Sequence, residues 1–245
     1  QDYSLYSHID QAIWRYIMKI SLPFFLKNAH ESYISGLEMI GIPLDQIPKV
    51  DEMDEKLDAY KWGAVTVKGF IPPIIFMEFL SRRVLPIAVD MRTLEHITYT
   101  PAPDIIHEAA GHAPIIANTD YADYLCAYGE VAKKAIQSKH DSELYEIVKK
   151  MSNMKEDPNV SEVELKKIEF ELEKKSSESR WTSEANELAR MNWWTIEYGL
   201  IGELNNPKIY GAGLLSSVSE SLECLNEKVK KIPISIECIH QDYNI

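Results

Sequence analysis

The run Asp104-Ile105-Ile106-His107-Glu108-Ala109-Ala110-Gly111-His112 decides how this chain is read. It invites comparison with the HExxH zinc-protease motif, in which two histidines four apart share one helical face. Here position 111 is glycine, and the second histidine comes five residues after the first. At about 100° per residue, five residues turn through about 500°, so an ideal α-helix points the two rings about 140° apart. Both reach one metal only where the first sits at a helix start or where the helix is distorted. Pro103 just before the run and Gly111 inside it favour such irregularity. A pair of histidines is often structural, and that reading stands beside the metal one. Two imidazoles and one carboxylate would make a facial triad for Fe(II) with open positions, but the carboxylate has to come from elsewhere. Glu197 is the best candidate, in Trp193-Trp194-Thr195-Ile196-Glu197-Tyr198-Gly199-Leu200. A charge among such large apolar groups is costly to bury unless a cation compensates it. The plain alternative is an ion pair with Arg190 or Arg180.

Around this run the text is mostly helical. Ser7 can cap a first helix with Asp10 three residues on, and apolar residues then recur at spacings of three and four until Pro23 ends it. A second helix fits Glu31 to Ile40, stopped by Gly41. Residues 53–62 turn helical. Ala64–Val67 is the best strand, and Pro72-Pro73 can start a helix through Leu80. Residues 85–89 are a short apolar piece. Further helices are expected near 105–115, 120–137, 142–151, 161–178 and 183–203, with short strands around 209–210 and 233–238. The segment 161–178 opens with a Ser161/Glu164 capping box and carries Glu162/Lys166 and Glu171/Lys175 pairs four apart. Its apolar stripe is thin, so it reads as a solvated surface helix, with partner binding as the runner-up. The expected fold is mainly α with a few short β-strands. The absence of repeats and of Gly/Ser linkers favours one domain over residues 1–245.

The chain has 245 residues, 38 Asp and Glu against 26 Lys and Arg, and a formal charge of −12. That balance argues against nucleic acid or anionic lipid as a partner. No stretch of 18 apolar residues suggests a membrane span. The start at Gln1 shows no signal peptide, and the missing Met suggests a fragment. Three cysteines without a CxxC pair fit free thiols in a reducing cytoplasm.

Tyr99-Thr-Pro-x-Pro-Asp-x-x-His107-Glu-x-x-Gly-His112 resembles the iron-site motif of the pterin-dependent aromatic amino acid hydroxylases. The segment from Trp193 to Leu200 resembles the part of that family supplying the third iron ligand. Tyr210-Gly211-Ala-Gly213-Leu-Leu-Ser216-Ser217 resembles a further family signature. The resemblance spans roughly residues 20–240. It implies a single catalytic domain of that type, with His107, His112 and Glu197 as iron ligands. It implies that Arg92 holds the substrate carboxylate, oriented by Asp104, with the hydroxyls of Thr100 and Ser216 near it. It gives Trp193 and Tyr198 as pocket walls, Phe76 as the ring under the pterin, and Glu108 as the acid near pterin and iron-bound water. Each has a plainer reading: Arg92 as a structural ion pair, the aromatics as core, and Glu108 as an acid favoured by a helix start.

The implied activity is an iron- and tetrahydrobiopterin-dependent monooxygenase using molecular oxygen on a free aromatic amino acid, phenylalanine first. Tryptophan or a relaxed preference is the alternative, and a zinc hydrolase is the competitor from another class. A helical binding module with structural histidines is the non-enzyme reading. Against the animal enzymes, neither a regulatory domain before this region nor a tetramerising coiled coil after it is expected. The stretch 138–182 is longer and reads as a surface insertion, and Gly69-Phe-Ile-Pro-Pro is similar to a bacterial branch. The family's catalytic region would continue past Ile245, so the domain is expected to be clipped there, and a monomer or weak dimer is expected.

Overall fold

The structure is a computed structural model that describes residues 1–100, 102–157, 159–178 and 181–242. Helix α1 (His8–Asn28) starts at the Ser7/Asp10 capping box as expected. It does not stop at Pro23 but runs through it. The bond that Pro23 cannot donate falls on Lys19, on the exposed side, while Trp14, Ile17 and Phe25 anchor both halves to the core. Helix α2 (Glu31–Ile40) ends on Gly41 in the left-handed region at φ 72°. Its buried positions Tyr33, Gly36, Leu37 and Ile40 form one face. Helix α3 (Val50–Leu57) begins before the expected residue 53 and passes into a 3-10 turn over Asp58–Tyr60.

Strand β1 (Gly63–Val67) pairs in parallel with β2 (Val84–Ala88), and α4 (Pro73–Ser81) crosses between them. The apolar piece near 85–89 is therefore a strand. Its Pro86 is tolerated because a two-stranded sheet leaves each strand an unpaired side. After β2 the chain enters a π-helical segment (Ile106–His112), the short α5 (Ala113–Ile115) and α6 (Thr119–Ala132). Helix α6 packs on α4, and α5 on α2.

Helices α7 (Lys139–Glu156) and α8 (Glu162–Glu178) pack on each other as an antiparallel pair. The Ser161/Glu164 capping box is formed. Lys175 bonds Glu143 of α7 at 2.6 Å and Glu178 at 3.1 Å, partners other than the expected Glu171. Val163 and Phe170 of α8 are exposed and Ile168 is buried, which fits a solvated helix. The stretch expected as one helix over 183–203 is three pieces. These are α9 (Glu184–Asn192), a second π-helical segment (Trp193–Glu197) and strand β3 (Leu200–Glu203). Strand β3 forms a hairpin with β4 (Asn206–Ile209), which ends where the short strand near 209–210 was expected. Helices α10 (Ala212–Leu215) and α11 (Val218–Glu223) follow. The strand expected over 233–238 is absent: Ile234 and Ile236 are exposed with no strand beside them, and Ile236–His240 is a 3-10 turn.

The architecture is mainly helical with two small two-stranded sheets, as the sequence suggests. Trp14, Leu57, Leu85, Ile105, Ala109 and Ile209 lie in one buried cluster. That cluster reaches up to the first π-helical segment through Ile106, Ala109 and Ala110. Among the described residues, no helix is long and apolar enough to cross a membrane.

Candidate metal centre

The five-residue spacing of His107 and His112 is resolved by helix type. Within Ile106–His112 the backbone is π-helical, and the Ala113 N–H bonds the Glu108 carbonyl five residues back. The wider turn brings positions i and i+5 to the same side, which an α-turn does not. The two rings meet edge to face, with centroids 4.8 Å apart at 86°. Their Nε2 atoms are 3.1 Å apart. Gly111 lets α10 approach, because a Cβ there would stand 2.7 Å from the Ala212 carbonyl oxygen.

The third group arrives on the second π-helical segment, where Tyr198 N–H bonds the Trp193 carbonyl at 2.8 Å, again five residues back. Glu197 Oε1 lies 3.3 Å from His112 Nε2, and its Oε2 lies 3.5 Å from His107 Nε2. The ligand atoms of the three residues all lie within 4.8 Å of one another. A Cβ on Gly211 would sit 2.3 Å from the Glu197 carbonyl oxygen, and one on Gly213 would sit 3.0 Å from the same atom. Only residues without side chains let this turn lie against Glu197. The alternative partners drop out differently. Arg190 pairs with Asp242 and bonds the Ile239 carbonyl, and Arg180 lies outside the described residues. Asn192, which sequence reading passed over, donates from Nδ2 to Glu197 Oε1 at 3.4 Å. Its only signal was a spacing of five from Glu197, the same as between the histidines.

Burial and mutual charge set the protonation states. Burial drives the His107 imidazole down to about 4, against the opposing pull of Glu197. Burial would raise the Glu197 carboxyl, but the charges of His112 and His107 outweigh it and bring it to about 2. Burial would lower His112, and the Glu197 carboxylate overcomes that and raises it. The tautomer of His107 is fixed from behind. Ser216 Oγ donates to the Ala212 carbonyl at 2.8 Å, so it accepts from His107 Nδ1–H at 2.9 Å. The lone pair of His107 then sits on Nε2, the atom facing His112 and Glu197.

Glu108 is buried beside them. Among the described residues its Oε2 has no hydrogen-bond partner, and burial pushes its carboxyl up to about 8. The ordinary value is 4.5. Between these values the folded chain holds a proton that the unfolded chain has released, so folding loses stability as pH rises through that window. Thermal unfolding of the metal-free protein from pH 5 to about 8 is expected to show this decline, of order a few kcal/mol. Glu108→Gln is expected to remove it, and parallel curves for the two proteins would refute the assignment.

Next to the triad lies a buried ion pair. Arg92 donates from Nε to Asp104 Oδ2 at 2.7 Å and from Nη2 to Oδ1 at 2.8 Å. Its Nη1 reaches the Ser216 carbonyl at 3.1 Å. The side edge of the guanidinium thus belongs to Asp104, and one N–H on each terminal nitrogen is left for another anion. Asp104 Oδ1 also accepts the His107 N–H at 3.0 Å, tying this pair to the histidine segment. Burial would raise the Asp104 carboxyl, but Arg92 holds it below the ordinary carboxylate range. Trp193 and Tyr198 stack at 4.4 Å and 21° on the segment that carries Glu197. Thr100 turns its hydroxyl back to the Ala102 carbonyl at 2.8 Å. Phe76 lies on α4, half-buried against the core.

Two inward imidazole nitrogens and one ionised carboxylate are the donor set of a facial triad. The buried Glu108 Oε2 beside them has no hydrogen-bond partner among the described residues, so the site holds an unsatisfied polar atom. The residues fit a divalent metal with open positions.

Residues 4–155 and 160–245 match the family profile of the biopterin-dependent aromatic amino acid hydroxylases. A phenylalanine-4-hydroxylase of Chromobacterium violaceum is 30% identical over 222 residues, covering 90% of this chain and 60% of the relative. One of Pseudomonas aeruginosa is 28% identical over 240 residues, covering 98% and 71%. The chain thus spans 57–71% of the length of such relatives. The crystal structure of the Chromobacterium violaceum phenylalanine hydroxylase with bound iron(III) and 7,8-dihydrobiopterin superposes with a TM-score of 0.70 at 28% identity, over 93% of this chain and 67% of that one. The apo cold-active phenylalanine hydroxylase of Colwellia psychrerythraea gives 0.74 at 26% identity, over 98% and 76%. With its two histidines and one glutamate held together on paired π-turns, the chain belongs to the biopterin-dependent aromatic amino acid hydroxylases.

Proposed function

We propose that the chain is an iron- and tetrahydropterin-dependent monooxygenase that converts free phenylalanine to tyrosine. The observation that carries this is the convergence of His107, His112 and Glu197 within 4.8 Å in a member of this family. Bound Fe(II) and a reduced tetrahydropterin supply the electrons that activate molecular oxygen for aromatic hydroxylation.

The chain's own groups bind, orient and exclude water. With the metal bound, His107 and His112 would offer their Nε2 lone pairs, and Glu197 the negative charge. Arg92, braced by Asp104 and the Ser216 carbonyl, presents its two remaining N–H groups to the substrate carboxylate. The stacked Trp193 and Tyr198 supply an apolar wall for the aromatic ring. Ser216, whose carbonyl accepts from Arg92 Nη1, and Thr100 contribute polar groups for the substrate carboxylate. Glu108, protonated at neutral pH in the metal-free protein, can donate to or accept from the pterin and a metal-bound water. Phe76 on α4 serves as the ring on which the pterin stacks. The polar α7–α8 pair over 138–182 is a surface insertion on this catalytic domain. The protein works in the cytoplasm as a monomer or weak dimer.

The test is anaerobic loading with Fe(II), then addition of a reduced tetrahydropterin, air and one amino acid. Pterin-dependent tyrosine formation from phenylalanine is expected, faster than hydroxylation of tryptophan or tyrosine. Failure to hydroxylate any of the three, or peptide hydrolysis by the zinc-loaded protein, would overturn the reading.

A further inference from the structure

We infer that Tyr33 of α2 is a positioning residue that holds the first π-turn in register, and so keeps His107 and His112 on one side; this rests on the metal reading above. The problem it solves is written in the sequence. Pro114 has no N–H and stands four residues after Ala110. In an α-helical turn the Ala110 carbonyl would therefore lack its donor, and the proline ring would press on that same carbonyl. The turn widens instead, and the Ala110 carbonyl accepts the Tyr33 hydroxyl at 2.9 Å.

Tyr33 is built for this one contact. It is 1% exposed, and its ring is fixed edge to face against Phe25 at 5.5 Å and 84°. Three residues on, Gly36 lies so close to Pro114 that a Cβ would stand 1.9 Å from the Pro114 carbonyl oxygen. Helix α2 thus grips the segment at two points, by close contact at Pro114 and by a hydrogen bond at Ala110. Water is a poor substitute for the hydroxyl. The adjoining gap measures about 10 Å³; Ile17, Met18, Phe25, Ile106 and Leu215 line it with apolar groups, and Ser21 and Tyr33 are the hydroxyl-bearing residues beside it. That is at the lower limit for one water.

Removing the hydroxyl as Tyr33→Phe leaves the ring and its packing in place. The π register should then loosen, and the histidine donors with it. Partners behind metal ligands typically govern affinity by roughly 10–100-fold. Co(II) is the probe, titrated into metal-free protein and read by its visible absorption. Tyr33→Phe is expected to bind Co(II) roughly 10–100-fold more weakly, with altered band positions. Its amide protons at Gly111, His112 and Ala113 should exchange faster in the metal-free state. Pro114→Ala restores a backbone donor to Ala110, so Tyr33→Phe added to it is expected to weaken Co(II) binding no further. Wild-type affinity, spectrum and exchange in Tyr33→Phe would overturn the inference while leaving the metal reading intact. An equal loss in both backgrounds would also overturn it. No Co(II) or Fe(II) binding by the wild-type chain would overturn both.

Discussion

Glu197→Ala is expected to abolish iron binding and turnover while leaving the fold in place. Glu197 is the anion that faces the two imidazole nitrogens, at 3.3 and 3.5 Å. Without it the site keeps two neutral donors and loses the charge that offsets a divalent cation. The loss should exceed the roughly 10–100-fold that removal of a ligand's hydrogen-bonding partner typically causes. The fold should survive because the backbone of Glu197 is held independently of its side chain. Gly211 and Gly213 pack on its carbonyl, and the N–H groups of Tyr210 and Gly211 bond the Gly199 carbonyl just beyond it. Equilibrium dialysis with metal analysis, beside thermal unfolding and circular dichroism, checks both halves. Full iron retention in the variant would remove Glu197 from the ligand set. His107→Ala is expected to behave alike, with the added loss of the anchor to Ser216.

The second large effect is expected from Asp104→Asn. The change keeps shape but leaves the Arg92 guanidinium buried without its anion. Breaking one side of a buried ion pair costs about 3–5 kcal/mol, and at about 2–4 °C per kcal/mol for a chain of this size the melting temperature should fall by about 10 °C. The acid limb of stability should change too. The Asp104 carboxyl is held below its ordinary 3.8, so its contribution is present above that value and is lost as pH falls through the lower folded value. Wild-type protein should thus lose this contribution only in strong acid, and Asp104→Asn should lack it at every pH. Denaturant unfolding across pH checks this. A loss under about 1 kcal/mol, as for an exposed pair, would show that Asp104 does not carry Arg92. Iron affinity should fall as well, because Asp104 Oδ1 accepts the His107 N–H.

The sequence made the chemistry of the site legible and its backbone only partly so. His107, His112 and Glu197 stood out because charged and metal-binding groups sat where apolar neighbours made them costly. Their convergence could not be read from α-helical periodicity, which sets positions five apart on different faces. The residue responsible for the exception, Pro114, lies two residues past the motif and looks like an ordinary helix breaker. The helix expected over 183–203 failed for the same reason. Its apolar pattern runs on through a π-turn and into β3 without a break in composition. Pro23 erred the other way, as a stop signal overridden by burial on both sides of it. The contacts of Asn192 and Tyr33 were beyond reach, since both depend on which carbonyl or carboxylate the register turns toward them.

The two π-turns also have a genetic meaning. Take one alanine out of the run between His107 and His112, and the imidazoles stand four apart. That is the interval at which an ordinary α-turn aligns two side chains. One codon therefore separates this arrangement from the spacing of the zinc-protease motif. A search template that assumes uniform helical pitch will pass over such a site. In this protein a single extra residue, absorbed by a change of pitch, does the work elsewhere done by a change of sequence interval.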